Sequence, residues 1–275
     1  MPELPEVETY VRDLRPQVVG RRIIGASLTH SDVLNGVTRA RLLRALTGSQ
    51  VTDVTRRAKH AVVVLDHATR LVVQPGMTGS LMAIRKPLPA DEARYVVLEA
   101  RLERGVTLVY HDVRRIGTLR LLDEPGWSRF SAAIGPEPLG DEWTLDHFLI
   151  ALRASRVAIK KLLMDQRKVA GVGNIYANEA LFLAGIDPSK PSNRVTRVQA
   201  GRLHQETRRL LAAAIAASGT TFRDYRTGTG EPGSFQLELF VYGREGEPCK
   251  ICGTTLTGTH TLDARITVFC HRCQW

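Results

Sequence analysis

The chain opens Met1-Pro2-Glu3-Leu4-Pro5-Glu6, and these residue types can do chemistry together. Removal of the initiator methionine would leave Pro2 with a free secondary amine. α-Amino groups titrate near ~7.7–8.0, against ~10.4 for lysine. A useful fraction of the Pro2 amine is then uncharged at neutral pH and can attack an electrophilic carbon, giving an iminium adduct. Glu3 and Glu6 stand close to it in sequence, and either can move a proton. On these residues alone the competing reading is a stiff surface tail whose glutamates cap a helix.

A second constellation closes the sequence. Cys249-x2-Cys252 and Cys270-x2-Cys273 account for all 4 cysteines. Four thiolates in two knuckles match a tetrahedral structural Zn2+ site, and a four-sulfur shell leaves no open position for catalysis. Redox or disulfide use is the alternative. His260 lies between the knuckles, but the sulfurs already fill the sphere. A third candidate is the tight Gly171-Val172-Gly173 turn inside LLMDQRKVAGVGNIYANEALFLAGIDP (162–188). Glycines let backbone approach a phosphate, and the helix that Asn174 opens presents unpaired N–H groups to an anion.

Several elements must position these residues. Val7, Tyr10, Val11 and Leu14 share one helical face over 7–14, with Pro16 and Gly20 as terminators. From 22 to about 122 the pattern is strand-like: RIIGASL, HAVVVL, RLVVQ, SLMAI, YVVLEARL, VTLVYHD and TLRLL alternate with turn residues. One helix at 38–47, with Leu42, Leu43 and Leu46 inward, interrupts them. This spacing predicts a β-sandwich. Residues 124–140 are rich in Pro and Gly and mark a linker. Helices are expected at 144–154, 158–165, 174–184 and 196–217, the last with a Thr196/Gln199 capping box. The glycine-rich stretch 226–236 is expected to form a flexible loop.

The bulk numbers narrow the class. In 275 residues, 38 Lys+Arg stand against 28 Asp+Glu, a net charge of +10. A basic balance of this size points to a polyanion such as nucleic acid. No apolar run is long enough to cross a bilayer, no signal-peptide pattern is present, and a catalytic N-terminal proline is incompatible with a targeting extension. The expected compartment is the cytoplasm, which in a bacterium includes the nucleoid.

PELPEVE, RRAKH, GVGNIYANE, IGPEPLG, TTFRDYRTGTGEPGSFQLELFVYGREGEPC, ARITVFC and CHRCQ run from residue 2 to 274. Together they resemble the formamidopyrimidine-DNA glycosylases, repair enzymes that share a family with endonuclease VIII. The resemblance implies an α+β multidomain fold. Its parts are a β-sandwich with an N-terminal helix (1–125), a linker (126–140) and a helical helix-two-turn-helix domain (141–225). A lesion-capping loop with its connection (226–240) and a zinc-finger β-hairpin (241–275) follow. It implies a monomer acting on damaged double-stranded DNA, with one structural Zn2+ on the four cysteines. The damaged base, an oxidised purine such as 8-oxoguanine or a formamidopyrimidine, is flipped out.

By the same resemblance Pro2 attacks C1′, Glu3 moves protons at the sugar, and Lys59 and Arg265 hold phosphates and assist elimination. Glu6 joins the catalytic set. Asn174, Lys160, Gln74 and Tyr242 are expected to contact DNA, and Met77, Arg114 and Ile116 to fill the space the flipped base leaves. Three positions depart from the family pattern. Gln74 and Ala93 stand where histidines are expected, and Ile116 stands where a phenylalanine is expected. Two other readings stay open: an endonuclease VIII-like preference for oxidised pyrimidines, and a non-catalytic damaged-DNA or abasic-site binder.

Overall fold

The first helix, α1 (Leu4–Val18), is longer at both ends than its apolar spacing predicts. Pro5 falls in the first turn, where its missing N–H has no intrahelical partner to lose. Pro16 lies only two residues from the end, so it forfeits one backbone bond without stopping the helix. Val7, Tyr10, Val11, Leu14 and Val18 form its buried stripe. Full burial of such side chains contributes roughly 1.5–3 kcal/mol each.

The computed structural model describes residues 2–219 and 238–275, so the 226–236 loop lies outside the described residues. The chain divides into two units, 1–132 with 217–234, and 133–216 with 235–275. The first unit is a β-sandwich. Its strands are β1 (Ile23–Leu28), β2 (Val51–Arg57), β3 (His60–Leu65), β4 (Arg70–Gln74), β5 (Gly79–Ile84), β6 (Val96–Leu102), β7 (Val106–Asp112) and β8 (Thr118–Leu122). They form two antiparallel sheets, ordered β1-β6-β7-β5 and β2-β3-β4-β8.

Alternation decides which face is core. Ala61, Val63 and Leu65 of β3, Leu71 and Val73 of β4, and Leu119 and Leu121 of β8 all enter one apolar cluster. From the other sheet come Leu98, Ala100 and Leu102, then Val106, Leu108 and Tyr110. The register matches this pattern, with Val63 opposite Leu71 and Leu71 opposite Leu121. A slip of one residue would turn every one of these side chains outward. Helix α1 packs on β2 and β3 of one sheet and β5 and β7 of the other. Helix α2 (Arg39–Leu46) adds buried Leu42 and Leu46, while Leu43 is only half buried. A short α3 (Ala90–Ala93) precedes β6.

Residues 124–132 differ from expectation. Their Pro and Gly mark a linker, yet they form α4 (Glu124–Ala132). Tertiary contacts outweigh the poor local propensity. Arg70 pairs with Glu124 at 2.7 Å and lies over Trp127 at 5.2 Å. Phe130 meets His60 edge-on at 5.0 Å.

The second unit holds α5 (Leu145–Arg153), α6 (Ile159–Met164), α7 (Asn174–Ala184) and α8 (Arg197–Ala216), then a hairpin of β9 (Thr257–Thr259) and β10 (Thr267–Phe269). Thr144 caps α5 through the His147 N–H. The Thr196/Gln199 capping box ahead of α8 forms in both directions at 3.2 Å. Helix α7 is apolar on nearly every side and almost wholly buried, and Gly185 ends it in the left-handed region at φ 69°. Among the described residues no helix is long and apolar enough to cross a membrane.

Candidate active site and nucleic-acid interface

Pro2, Glu3 and Glu6 are buried at the head of α1. The Glu6 carboxylate accepts the Glu3 N–H at 2.8 Å, half of a capping box whose other half joins the Glu3 side chain to the Glu6 N–H. The residue bearing the candidate nucleophile is therefore attached to a fixed helix start rather than a frayed tail. The cap bond from Glu6 holds Glu3 in place. Gly219, at φ +79°, lies against Glu6, and a Cβ there would come within 3.2 Å of its Cγ. Glu8, two residues further, takes Arg12 at 3.0 Å and Arg56 of β2 at 2.9 Å.

The Arg56 link ties α1 to the β2–β3 turn, whose two central residues are Ala58 and Lys59. Ala58 adopts φ 51°, a left-handed conformation that costs a non-glycine residue about 1–2 kcal/mol. The surroundings enforce it. The Arg56 guanidinium donates to the Ala58 carbonyl at 3.0 Å, and Arg57 donates to the Ser131 hydroxyl and carbonyl of α4. His60 Nδ1 donates to the Arg57 carbonyl at 3.1 Å. Burial pulls the His60 pKa down to about 4, with the charges of Arg120, Lys59 and Arg57 acting in the same direction. The ring beside Lys59 is therefore neutral at physiological pH. Helix α4, which looks like linker in the sequence, thus helps to brace the lysine turn.

Met77, Arg114 and Ile116 come from two loops packed backbone to backbone. A Cβ on Gly76, at φ +66°, would stand 2.7 Å from the Gly117 nitrogen, so only glycine allows this approach. Buried Asp112 organises the pair. Its Oδ1 accepts the Thr78 hydroxyl at 2.6 Å and the Arg114 N–H at 3.2 Å. Its Oδ2 accepts the Tyr110 hydroxyl at 2.9 Å and the Gly117 N–H at 3.0 Å. Met77 is 46% and Ile116 48% exposed. Ile116 therefore sits in a loop between β7 and β8 and is not a strand core residue. Gln74, at the end of β4, accepts the Thr118 hydroxyl at 3.3 Å.

In the second unit, α6 and α7 hold the hairpin. Lys160 is fully buried, and its ammonium donates to the Ile266 carbonyl at 3.0 Å and the Thr267 hydroxyl at 2.7 Å. Asn174 Nδ2 donates to the same Ile266 carbonyl at 3.0 Å. Asn178 Oδ1 accepts the Val268 N–H at 2.8 Å. These bonds fix the residues that follow Arg265, which is itself exposed and lines a recess with Lys161, Met164 and Asp165. In this geometry Lys160 and Asn174 brace the arginine's loop. Buried Glu179 makes a parallel anchor, accepting the N–H groups of Phe240, Val241 and Tyr242 at 2.8, 2.9 and 2.7 Å. Burial pushes its carboxyl pKa upward against those three bonds. Tyr242 is half buried.

The sulfurs of Cys249, Cys252, Cys270 and Cys273 lie within 4.8 Å of one another, and such a group could hold a metal ion. Two of the separations are 3.5 and 3.9 Å. Zn–S bonds of ~2.3 Å in a tetrahedron put sulfurs about 3.8 Å apart, so the donor set fits. The sequence showed no sign of Asp112, Glu179 or Asn178 as organisers. The signal available was an acidic or amide residue inside an otherwise apolar strand or helix, where a buried polar group must find partners.

A β-sandwich that carries a capped N-terminal helix, with a helical unit and a four-cysteine hairpin, is the architecture of a DNA glycosylase. The family model for the formamidopyrimidine-DNA glycosylase N-terminal domain matches residues 1–119, and that for its H2TH domain matches 134–226. The formamidopyrimidine-DNA glycosylase of Stutzerimonas stutzeri is 44% identical over 274 residues, covering 100% of both chains. The crystal structure of MutM (Fpg) from Thermus thermophilus is 37% identical with a TM-score of 0.88, over 99% of this chain and 98% of that one. A variant of Lactococcus lactis Fpg in complex with Fapy-dG-containing DNA is 33% identical, with a TM-score of 0.92 over 99% of each chain. The chain belongs to the formamidopyrimidine-DNA glycosylase family.

Proposed function

We propose that this protein excises oxidised purines, 8-oxoguanine and formamidopyrimidines, from duplex DNA in base-excision repair and then cuts the strand as an AP lyase. The observation that carries the reading is the buried, capped head of α1, which fixes Glu3 and, next to it in the chain, Pro2, whose amine becomes free once Met1 is removed. The Pro2 nitrogen bonds to C1′ of the flipped nucleotide as the bond to the base breaks, and the base departs with that electron pair. Glu3 moves protons at the sugar. The C1′–O4′ bond of that adduct then opens, O4′ leaving with the electron pair and taking a proton by way of Glu3, and the ring-opened iminium so formed makes the 2′ protons acidic, so β-elimination expels the 3′ phosphate and δ-elimination the 5′ phosphate. Lys59 and Arg265 hold phosphates on either side and assist those eliminations. Lys160 and Asn174 act with Arg265, through the hairpin they brace. Met77, Arg114 and Ile116 enter the stack from the sandwich, as side chains that kink DNA do. Function as a monomer on chromosomal DNA, in the cytoplasm at the nucleoid, fits this chemistry.

The test is incubation under borohydride with 8-oxoguanine and thymine-glycol duplexes. The expected result is a covalent protein–DNA adduct that forms faster on 8-oxoguanine. Faster trapping on thymine glycol would assign oxidised pyrimidines instead, and no adduct on either would leave a non-catalytic binder.

One Zn2+ on the four cysteines would hold the hairpin and take no part in bond breaking. Metal analysis should find one zinc per chain, and chelation or Cys252→Ala should remove it and most DNA affinity together. Arg265→Ala should keep the zinc yet bind duplex with a shallower salt dependence, by roughly 0.9 in log K against log[salt] for one lost phosphate contact. Freshly purified protein without zinc would count against the metal assignment.

A further inference from the structure

Strand β7 spans 7 residues and ends at the loop that carries Arg114 and Ile116. Its other end lies roughly 20 Å away at ~3.3 Å per residue. There the turn Glu103-Arg104-Gly105 joins β6 to β7, and the charge is strongly one-sided. Arg21, Arg22, Arg85, Lys86, Arg101 and Arg104 gather around this turn. The Arg21 guanidinium donates to the Glu103 carbonyl at 3.3 Å, and that of Arg85 to the Arg104 carbonyl at 3.4 Å. The Glu103 N–H donates to the Arg22 carbonyl at 3.0 Å, and the Arg22 guanidinium reaches the Gly48 carbonyl. Arg101 faces Thr107 across the β6–β7 ladder, and Lys86 follows Arg85 in the chain. All but Arg21 are exposed.

The acids of this end do not neutralise them. The Glu103 carboxylate accepts the Arg22 N–H at 3.3 Å, and Glu99, further along β6, accepts the Ser27 hydroxyl at 3.5 Å. Asp66 stands past the end of β3 in the other sheet, with its N–H on the Gln50 carbonyl. Among the described residues none of the clustered cations forms an ion pair. Backbone strain adds to the like-charge repulsion. Arg104 sits at φ 60°, in the left-handed region that glycine or asparagine takes more readily. A polyanion that meets the turn accounts for an arginine kept there against both.

The chemistry favours nucleic acid over protein. A guanidinium has five N–H groups, so each anchored arginine keeps most of its donors, and arginine suits phosphate. Residues 19–24, 84–86 and 101–107 contain no aromatic side chain, whereas the cores of protein interfaces are rich in aromatics and poor in charge. We propose that this end of the sandwich holds a second segment of DNA duplex by its phosphates, so that the protein passes from one duplex to another without first coming free. This goes beyond the excision reading and does not depend on which lesion is removed.

The experiment loads the full-length protein with a fluorescent duplex carrying an uncleavable abasic-site analogue. Its dissociation is followed after adding unlabelled, undamaged duplex at rising concentration. Non-specific duplex binding has Kd values of about 10⁻⁴–10⁻⁶ M at physiological salt. Dissociation from wild type should therefore accelerate several-fold as competitor rises through the micromolar range, and less so at higher salt. A protein with Arg85→Ala, Arg101→Ala and Arg104→Ala combined should release the duplex at one rate whatever the competitor concentration. Its thermal unfolding and single-turnover lesion cleavage should match wild type. A competitor-independent rate in wild type would overturn the proposal, as would acceleration that persists in the triple variant. Acceleration by polyglutamate but not by duplex would assign the surface to an acidic protein and overturn it too. Borohydride trapping of wild type runs in parallel. Failure to trap with competitor-dependent dissociation intact would strike the enzymatic reading and leave this surface standing.

Discussion

A Pro2→Gly protein should lose borohydride trapping and strand cleavage by at least about 100-fold, while still binding duplex DNA and zinc. Glycine keeps an α-amine with a similar pKa, so the loss tests geometry and adduct chemistry rather than basicity. A secondary amine gives an iminium that is cationic without further protonation, and that charge acidifies the 2′ position. A primary amine gives an imine that must gain a proton first. The pyrrolidine ring also blocks rotation about the N–Cα bond and so limits the directions in which the nitrogen's lone pair can point from the capped start of α1. A displacement of about 1 Å at a reacting atom can cost roughly a hundredfold in rate. Rapid-quench trapping of the two proteins on an abasic duplex, with peptide mapping of the adduct, gives the answer. Equal rates would remove Pro2 from the mechanism, as would an adduct mapped to Lys59.

Why some of this was legible in the sequence and some was not follows from the range of the forces involved. Strand alternation placed the sandwich, because each strand buries one face and the period shows it. The cysteine spacing found the four-sulfur cluster for a similar reason, since two knuckles are local geometry. The N-terminal stretch showed a helix but not its extent. Pro5 and Pro16 suggest helix breaks, and only their positions within the first and last turns make them harmless. Helix α4 was hidden because what stabilises it lies far away in sequence, in Arg70, His60 and Arg57. Lys160 was hidden because a lysine suggests a surface. Its burial depends on two oxygen acceptors in the hairpin, more than a hundred residues later. The four bonds of Asp112 converge from three segments, and no spacing rule reports such convergence.

That convergence gives the second large effect. Asp112→Ala should destabilise the protein by about 3–5 kcal/mol, because it strands buried hydroxyl and N–H donors that had a charged acceptor. Asp112→Asn keeps the shape but offers one acceptor oxygen and a competing NH2 group, so it should lose less. Both should release the contact between the 75–78 and 113–117 loops, and with it the joint placement of Met77, Arg114 and Ile116. The cleavage defect should then be greater on a duplex than on a single strand, where no stack needs filling. Ile116→Phe should act in the opposite direction. Its flat ring can stack on a base, which is worth about 1–3 kcal/mol, so duplex binding should tighten by up to about tenfold with little change on single strands. Thermal unfolding of all three variants, alongside duplex and single-strand cleavage, separates stability from function. If Asp112→Asn lowers stability yet leaves the duplex-to-single-strand ratio at the wild-type value, the carboxylate supports the fold and does not set the wedge. If Ile116→Phe shifts both substrates equally, or neither, position 116 does not enter the stack.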